Sequence, residues 1–241
     1  DIFGEKPLYY YFNKNSFLAS SSIDSFTKIN DEINHNSIKE LVSNNYINHP
    51  NTIFKNVFKI KPATIITFRI NEKGNISNIS NKTYYDKTKK LRINNLSLDK
   101  TLDNFEKTLF DSVEKQLISD VPLGSFLSGG IDSTLISAIA SKIYPNKLST
   151  FTMGFEDTNF DESVYAKKIA EHLGTNHFEK YLNKENLLNT FDDVFEAYGE
   201  PFSDSSQIPT ILLSKFCSEN VKVALTGDGG DELFGGYNRY V

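Results

Sequence analysis

The sequence predicts an α/β protein in two parts, a layer of short antiparallel strands in the first third and then a doubly wound parallel sheet. Three observations predict it. From about residue 99 onward, apolar β-branched runs alternate with helix-compatible runs, the pattern of a parallel sheet with crossover helices. One apolar run, Val121–Leu127, breaks at Ser128-Gly129-Gly130 and is followed at once by a helical run, Thr134–Ala140. A second, Val221–Leu225, breaks at Thr226-Gly227-Asp228-Gly229-Gly230-Asp231.

The elements follow in order. Residues 1–85 read as short strands with hairpins, with Asn13-Lys14-Asn15 a turn between two of them and one helix near 37–44. The polar, basic stretch from Asp86 through Lys90 to Asn95 reads as a linker spanning 86–98. Ser97 or Asp99 caps a helix reaching about Ile118, because Leu102, Phe105, Leu109, Val113 and Leu117 recur near a 3.6-residue period. Strands are expected near 123–127, 148–154, 176–181 and 221–225. Helices are expected near 133–143, 161–172, 185–198 and 208–219. The second part is then one domain, 99–241.

The loop at 128–133 carries specific chemistry. Two adjacent glycines let the backbone turn sharply and leave its N–H groups uncovered. The helix that follows adds first-turn N–H donors and a partial positive charge, so strand, turn and helix together form a phosphate cradle. Ser128 and Ser133 can add hydroxyl donors, and Asp132 can hold Mg²⁺ against phosphate. The G-x-x-x-x-G-K-[ST] string of the usual P-loop is absent, as is G-x-G-x-x-G around this loop. A plain Gly-Gly turn capped by Asp or Ser is the simpler reading of the six residues alone. The second loop weakens that reading, because five glycines interleaved with Asp228, Asp231 and Glu232 make an odd connector. Ligands of open parallel sheets sit beyond the carboxyl ends of the strands, so both loops are expected to face one site.

Composition narrows the function classes. A net charge of −5 gives no electrostatic case for nucleic acid or an anionic membrane. One cysteine excludes an intramolecular disulfide, and no apolar run approaches the roughly 18 residues of a membrane span. Cys217, in the helical run Ile211–Cys217, reads as a small buried hydrophobe. The four histidines show no zinc-site spacing and receive no role.

Ser-Gly-Gly-Ile-Asp-Ser followed by Thr-Gly-Asp-Gly-Gly-Asp-Glu-Leu-Phe-Gly-Gly-Tyr resembles the synthetase domain of the glutamine-dependent asparagine synthetases. Further stretches resemble the same family: Ser149–Phe155, Phe160-Asp161-Glu162-Ser163, His172–His177 and Asp204–Thr210, the last matching its substrate-pocket segment. At the front, Asp1–Tyr11, Phe17–Ser21 and Ile53–Ala63 resemble the end of the family's glutaminase domain. The resemblance implies a partial Ntn-type glutaminase β layer over 1–85. Beyond the linker it implies a doubly wound sheet of the ATP pyrophosphatase (PP-loop) type.

It also implies a chemistry. ATP and Mg²⁺ would serve as cofactors, with the triphosphate over Ser128, Gly129, Gly130 and Ser133. Leu127, Met153, Thr226 and Gly227 would border the nucleoside, largely through backbone groups. Asp132 and Asp231 would hold the metal. Asp228 is the candidate group assisting ammonia attack, although many family members carry Glu there. The substrates implied are aspartate with glutamine or ammonia, in a cytoplasmic enzyme compatible with a homodimer. The family's cysteine nucleophile would lie upstream of Asp1 and further substrate contacts beyond Val241. The chain is therefore expected to be a piece of a longer protein without glutaminase activity of its own. Two alternatives remain: an adenylating homologue of the β-lactam synthetase or peptide-cyclising kind, and a silent fragment.

Overall fold

The computed structural model describes residues 1–29, 32–86, 95–155 and 161–238. Most of the expected linker (87–94), Phe160 and Val241 lie outside the described residues. The chain forms two compact units, residues 1–94 with 192–205, and residues 95–191 with 206–241.

In the first unit, β1 (Tyr9–Phe12) pairs antiparallel with β2 (Phe17–Ser20) on one side and β3 (Val57–Lys59) on the other. The β1–β2 turn is built by Asn13, whose Oδ1 accepts the N–H groups of Asn15 and Ser16, both at 2.8 Å. Helix α1 (His35–Asn44) starts at Asn34, whose side chain accepts the N–H of Asn36. A second hairpin joins β4 (Thr64–Ile70) to β5 (Ile76–Thr83). Ile23, Phe26 and Val57 are fully buried, with Tyr9, Tyr11, Ile53 and Phe54 packed around them.

The second unit opens with α2 (Leu98–Gln116), and Ser97 stands at its N-cap position without a side-chain cap bond. Then come β6 (Leu123–Phe126), α3 (Ile131–Ile143), β7 (Ser149–Phe155), α4 (Ser163–Leu173) and β8 (Asn176–Leu182). The strands β8-β7-β6-β9, with β9 at Val223–Leu225, form one parallel sheet. Side chains alternate across it. Leu123 joins Val113 of α2 and Ile139 and Ala140 of α3 in one cluster. Phe126 and Phe151 pack instead with Cys217 and Phe216 of α7 (Gln207–Ser218). Helices therefore cover both faces, as a doubly wound sheet requires. Cys217 is buried among apolar groups, which pushes its thiol up to about 11.

Two expectations need correction. The helix expected over 185–198 is two short ones, α5 (Lys184–Asn189) and α6 (Asp193–Tyr198). Thr190 ends the first by turning its hydroxyl back onto the Asn186 carbonyl at 2.8 Å, and Thr and Asp are poor helix-interior residues. Residues 192–205, containing α6, fold with the first unit. The glycine-rich stretch after β9 also contains a helical turn, α8 (Gly230–Phe234). It starts from Gly229 at φ 90° and carries Asp231 and Glu232 in its first turn, where negative charge is favoured.

His177 on β8 is structural. Its Nδ1 lies 2.9 Å from the Thr150 hydroxyl and its Nε2 lies 3.2 Å from Glu179. Burial pushes its pKa below the usual histidine value, against the pull of Glu179. A base with a depressed folded-state pKa binds more protons when unfolded. The stability it contributes is complete above about pH 6.5 and is lost as pH falls through the folded value. The melting temperature should therefore decline below about pH 6.5, and His177→Gln should flatten that decline. Identical pH profiles for the two proteins would refute the assignment.

Candidate active site

The strand order β8-β7-β6-β9 reverses direction between β6 and β9, and a crevice forms outside the carboxyl ends of strands at such a reversal. Both glycine loops begin there. After β6, the Leu127 N–H donates to the Phe151 carbonyl at 2.9 Å, and the Thr152 hydroxyl donates to the Leu127 carbonyl. The backbone of Leu127 is thus largely spent on the sheet, and its side chain is buried against Ala166 and Ala170 of α4. Gly129 turns the chain at φ 90°. A Cβ there would lie 3.0 Å from the Tyr165 Cβ and 3.1 Å from the Ala166 N, so this glycine serves the close approach of α4.

Gly130 occupies the N-cap position of α3 and gives its first turn no side-chain partner. The loop is braced instead by hydroxyls. Ser128 and Ser133 hydrogen-bond each other through Oγ at 2.9 Å, and the Gly130 N–H donates to the Ser128 Oγ at 3.2 Å. The Ser128 N–H donates to the Ser133 Oγ at 3.2 Å. The backbone of Gly130 is one that any residue adopts, at φ −69° and ψ 161°. A Cβ there would approach only the Ser128 hydroxyl, at 3.3 Å. Packing within the fold therefore does not account for glycine at 130.

The second loop lies directly on the first. A Cβ on Gly227 would stand 2.7 Å from the Ser133 N and 3.1 Å from the Asp132 carbonyl carbon. A Cβ on Gly230 would collide with the Asp132 carboxylate, and one on Gly236 with that of Asp231. These glycines let two backbones and two carboxylates share one small space.

A cavity of about 970 Å³ opens over the loops. Leu127, Ser128, Gly130, Asp132, Ser133, Met153, Thr226, Gly227, Asp228 and Asp231 all line it, whereas Gly129 does not. Sequence reasoning missed the apolar wall of Phe126, Phe151, Phe155 and Phe234, and it missed Glu162. It also missed most of the α7 face. Of the stretch 204–210, only Pro209 and Thr210 reach the cavity, joined by Leu213 and Ser214. The i, i+4 spacing of Pro209 with Leu213 and of Thr210 with Ser214 was the available signal.

Among the described residues, Asp132, Asp228, Asp231 and Glu162 line the cavity and no Lys, Arg or His does. Among the described residues no three His, Cys, Asp or Glu side chains are grouped to hold a metal by themselves. That suits Mg²⁺, which binds one or two carboxylates and completes its shell with phosphate oxygens and water. Asp132 and Asp231 supply such a pair of hard oxygen donors, on facing loops.

The profile of the family described as "Asparagine synthase" matches residues 104–241, both loops included. The chain belongs to this family. A second profile, "Glutamine amidotransferase domain", matches residues 1–85. The chain is 35% identical over 242 residues to asparagine synthetase [glutamine-hydrolyzing] 1 of Bacillus subtilis, covering 100% of this chain and 37% of that protein. It is 32% identical over 249 residues to a putative asparagine synthetase [glutamine-hydrolyzing] 2 of Methanocaldococcus jannaschii, covering 98% and 46%. The chain thus spans less than half the length of these relatives. Among solved structures it is similar to an NH3-dependent NAD synthetase from Campylobacter jejuni. That match has 15% identity and a TM-score of 0.40, and covers 56% of this chain and 60% of that one. Among the described residues no helix is long and apolar enough to cross a membrane.

Proposed function

We propose that this chain carries the nucleotide site of an enzyme that converts aspartate to asparagine with ATP, taking nitrogen from glutamine or ammonia. The observation that carries the reading is the meeting of the two glycine loops at the strand-order reversal. There, Gly227 lies against the α3 N-terminus and Gly230 against Asp132. The first-turn N–H groups of α3 face phosphate oxygens. Leu127 and Met153, which line the cavity, border the nucleoside. Glycine at 130, unexplained by the fold, leaves room for a phosphate to approach the backbone.

Asp132 and Asp231 would hold Mg²⁺, which when bound would supply positive charge to balance the pyrophosphate as it leaves. The β-carboxylate of aspartate attacks the α-phosphorus, pyrophosphate leaves and β-aspartyl-AMP forms. Ammonia then attacks the acyl carbon, Asp228 accepts its proton, and AMP departs with asparagine released.

The test is calorimetry with Mg-ATP and with AMP. Asp132→Ala should weaken Mg-ATP roughly 10- to 100-fold, as expected on losing one charged contact, and should leave AMP nearly unchanged. Equal losses for both nucleotides would show that Asp132 does not act through the metal. Release of ADP and phosphate in turnover would overturn the adenylation route.

A further inference from the structure

Helix α8 carries Asp231 in its first turn and Phe234 at its end, and both line the cavity. Five residues are too few to hold a helix by backbone bonds alone, and none of the five is buried. The start of α8 is fixed by the loops. Gly230 lies against the Asp132 carboxylate, and its N–H donates to the Gly227 carbonyl at 3.3 Å. The end rests on a ring. Phe234 lies edge-on to Phe105 of α2, with centroids 5.3 Å apart and planes at 79°, a preferred geometry for an aromatic pair. α2 is a firm platform for that contact, because Leu109, one turn beyond Phe105, packs with Phe110 and Leu117 on the core cluster around Val113.

Residues three apart share one side of a helix, so Phe234 and Asp231 move together when α8 tilts. A ring that stops the tilt spares the ligand the cost of aligning both. We propose that Phe105 is a positioning residue, which sets α8 through Phe234 and thereby presents Asp231 to Mg-ATP. Phe105 itself stands outside the cavity lining. Phe105, α8 and the cavity all belong to the second unit. The inference rests on the nucleotide reading of the cavity.

The test compares variants of the full-length enzyme by calorimetry with Mg-ATP and by amide hydrogen exchange in α8. Phe105 is 37% exposed, so truncating it opens no buried cavity and Phe105→Ala should fold. If it does not, Phe105→Leu removes the ring, keeps the apolar bulk and decides the matter. Phe105→Ala should speed exchange at the Leu233 and Gly236 amides, which bond the Gly229 and Asp231 carbonyls, and leave the α3 amides unchanged. It should weaken Mg-ATP roughly 2- to 10-fold, the worth of one aromatic pair. Phe105→Tyr keeps the ring and should restore both readings. Because the effect passes through Phe234, Phe105→Ala should add nothing once Phe234→Ala is in place. A merely structural Phe105 would lower the melting temperature alone. Wild-type affinity in Phe105→Ala, or an equal loss with and without Phe234, would therefore overturn the proposal. Faster exchange at α8 in an enzyme whose wild-type form binds no Mg-ATP would instead sink the nucleotide reading, because the brace would then exist with no nucleotide to serve.

Discussion

Gly227→Ala should cost the enzyme most of its Mg-ATP affinity while leaving the sheet assembled. The methyl group would enter 2.7 Å from the Ser133 N and 3.1 Å from the Asp132 carbonyl carbon, and both are backbone atoms that cannot rotate aside. Either the α3 N-terminus or the β9 loop must retreat. Overpacking of this kind costs about 1–3 kcal/mol. If that strain is relieved by separating the loops, it reappears as a loss of roughly 5- to 150-fold in nucleotide affinity. β9 itself pairs with β6 through residues 223–225, before the clash, so its pairing is not in the way. Far-ultraviolet circular dichroism should be unchanged, with the melting temperature lowered only modestly. Calorimetry that returns wild-type affinity would mean the loops do not hold a ligand between them.

The parts of this site that were legible in the sequence are those written in consecutive residues. Val121–Leu127 followed by Ser128-Gly129-Gly130 marked a strand, a turn and a helix start, because an apolar run, a break and a helical period follow one another locally. The same held for Val221–Leu225 and the glycines after it, although the strand itself is shorter, at Val223–Leu225. α8 was not legible, because five residues beginning with Gly230 fall below the length at which periodicity carries information. The separate duties of the glycines were hidden as well. Gly129 faces α4 and Gly130 the cavity, and only the packing of α4 distinguishes them. Least legible was the return of residues 192–205 to the first unit. It depends on Glu200 meeting Lys59, 141 positions away, and neither residue carries a local sign of the other.

Asp228 and Asp231 stand three positions apart, and the chain gives them different neighbours, so their variants should fail at different steps. Asp231 lies in the first turn of α8, its carboxylate against Gly236. Asp228 lies before that helix, on the open loop, where its N–H is 3.4 Å from the Thr226 hydroxyl. Both line the cavity, which makes both available to a ligand and leaves the division of labour to experiment. On the proposed route Asp231 acts before chemistry by holding the metal against pyrophosphate. Asp231→Asn should abolish adenylate formation and asparagine release together. Asp228 acts after it by taking the proton of the attacking ammonia. Asp228→Asn should still form β-aspartyl-AMP but turn it over about 10²- to 10⁴-fold more slowly, the usual worth of a general base. Positional isotope exchange in ATP reads the first step alone, and asparagine release reads both. Loss of both signals in Asp228→Asn would assign that residue to nucleotide or metal binding. Retention of isotope exchange in Asp231→Asn would leave Asp132 in need of a different partner for the metal.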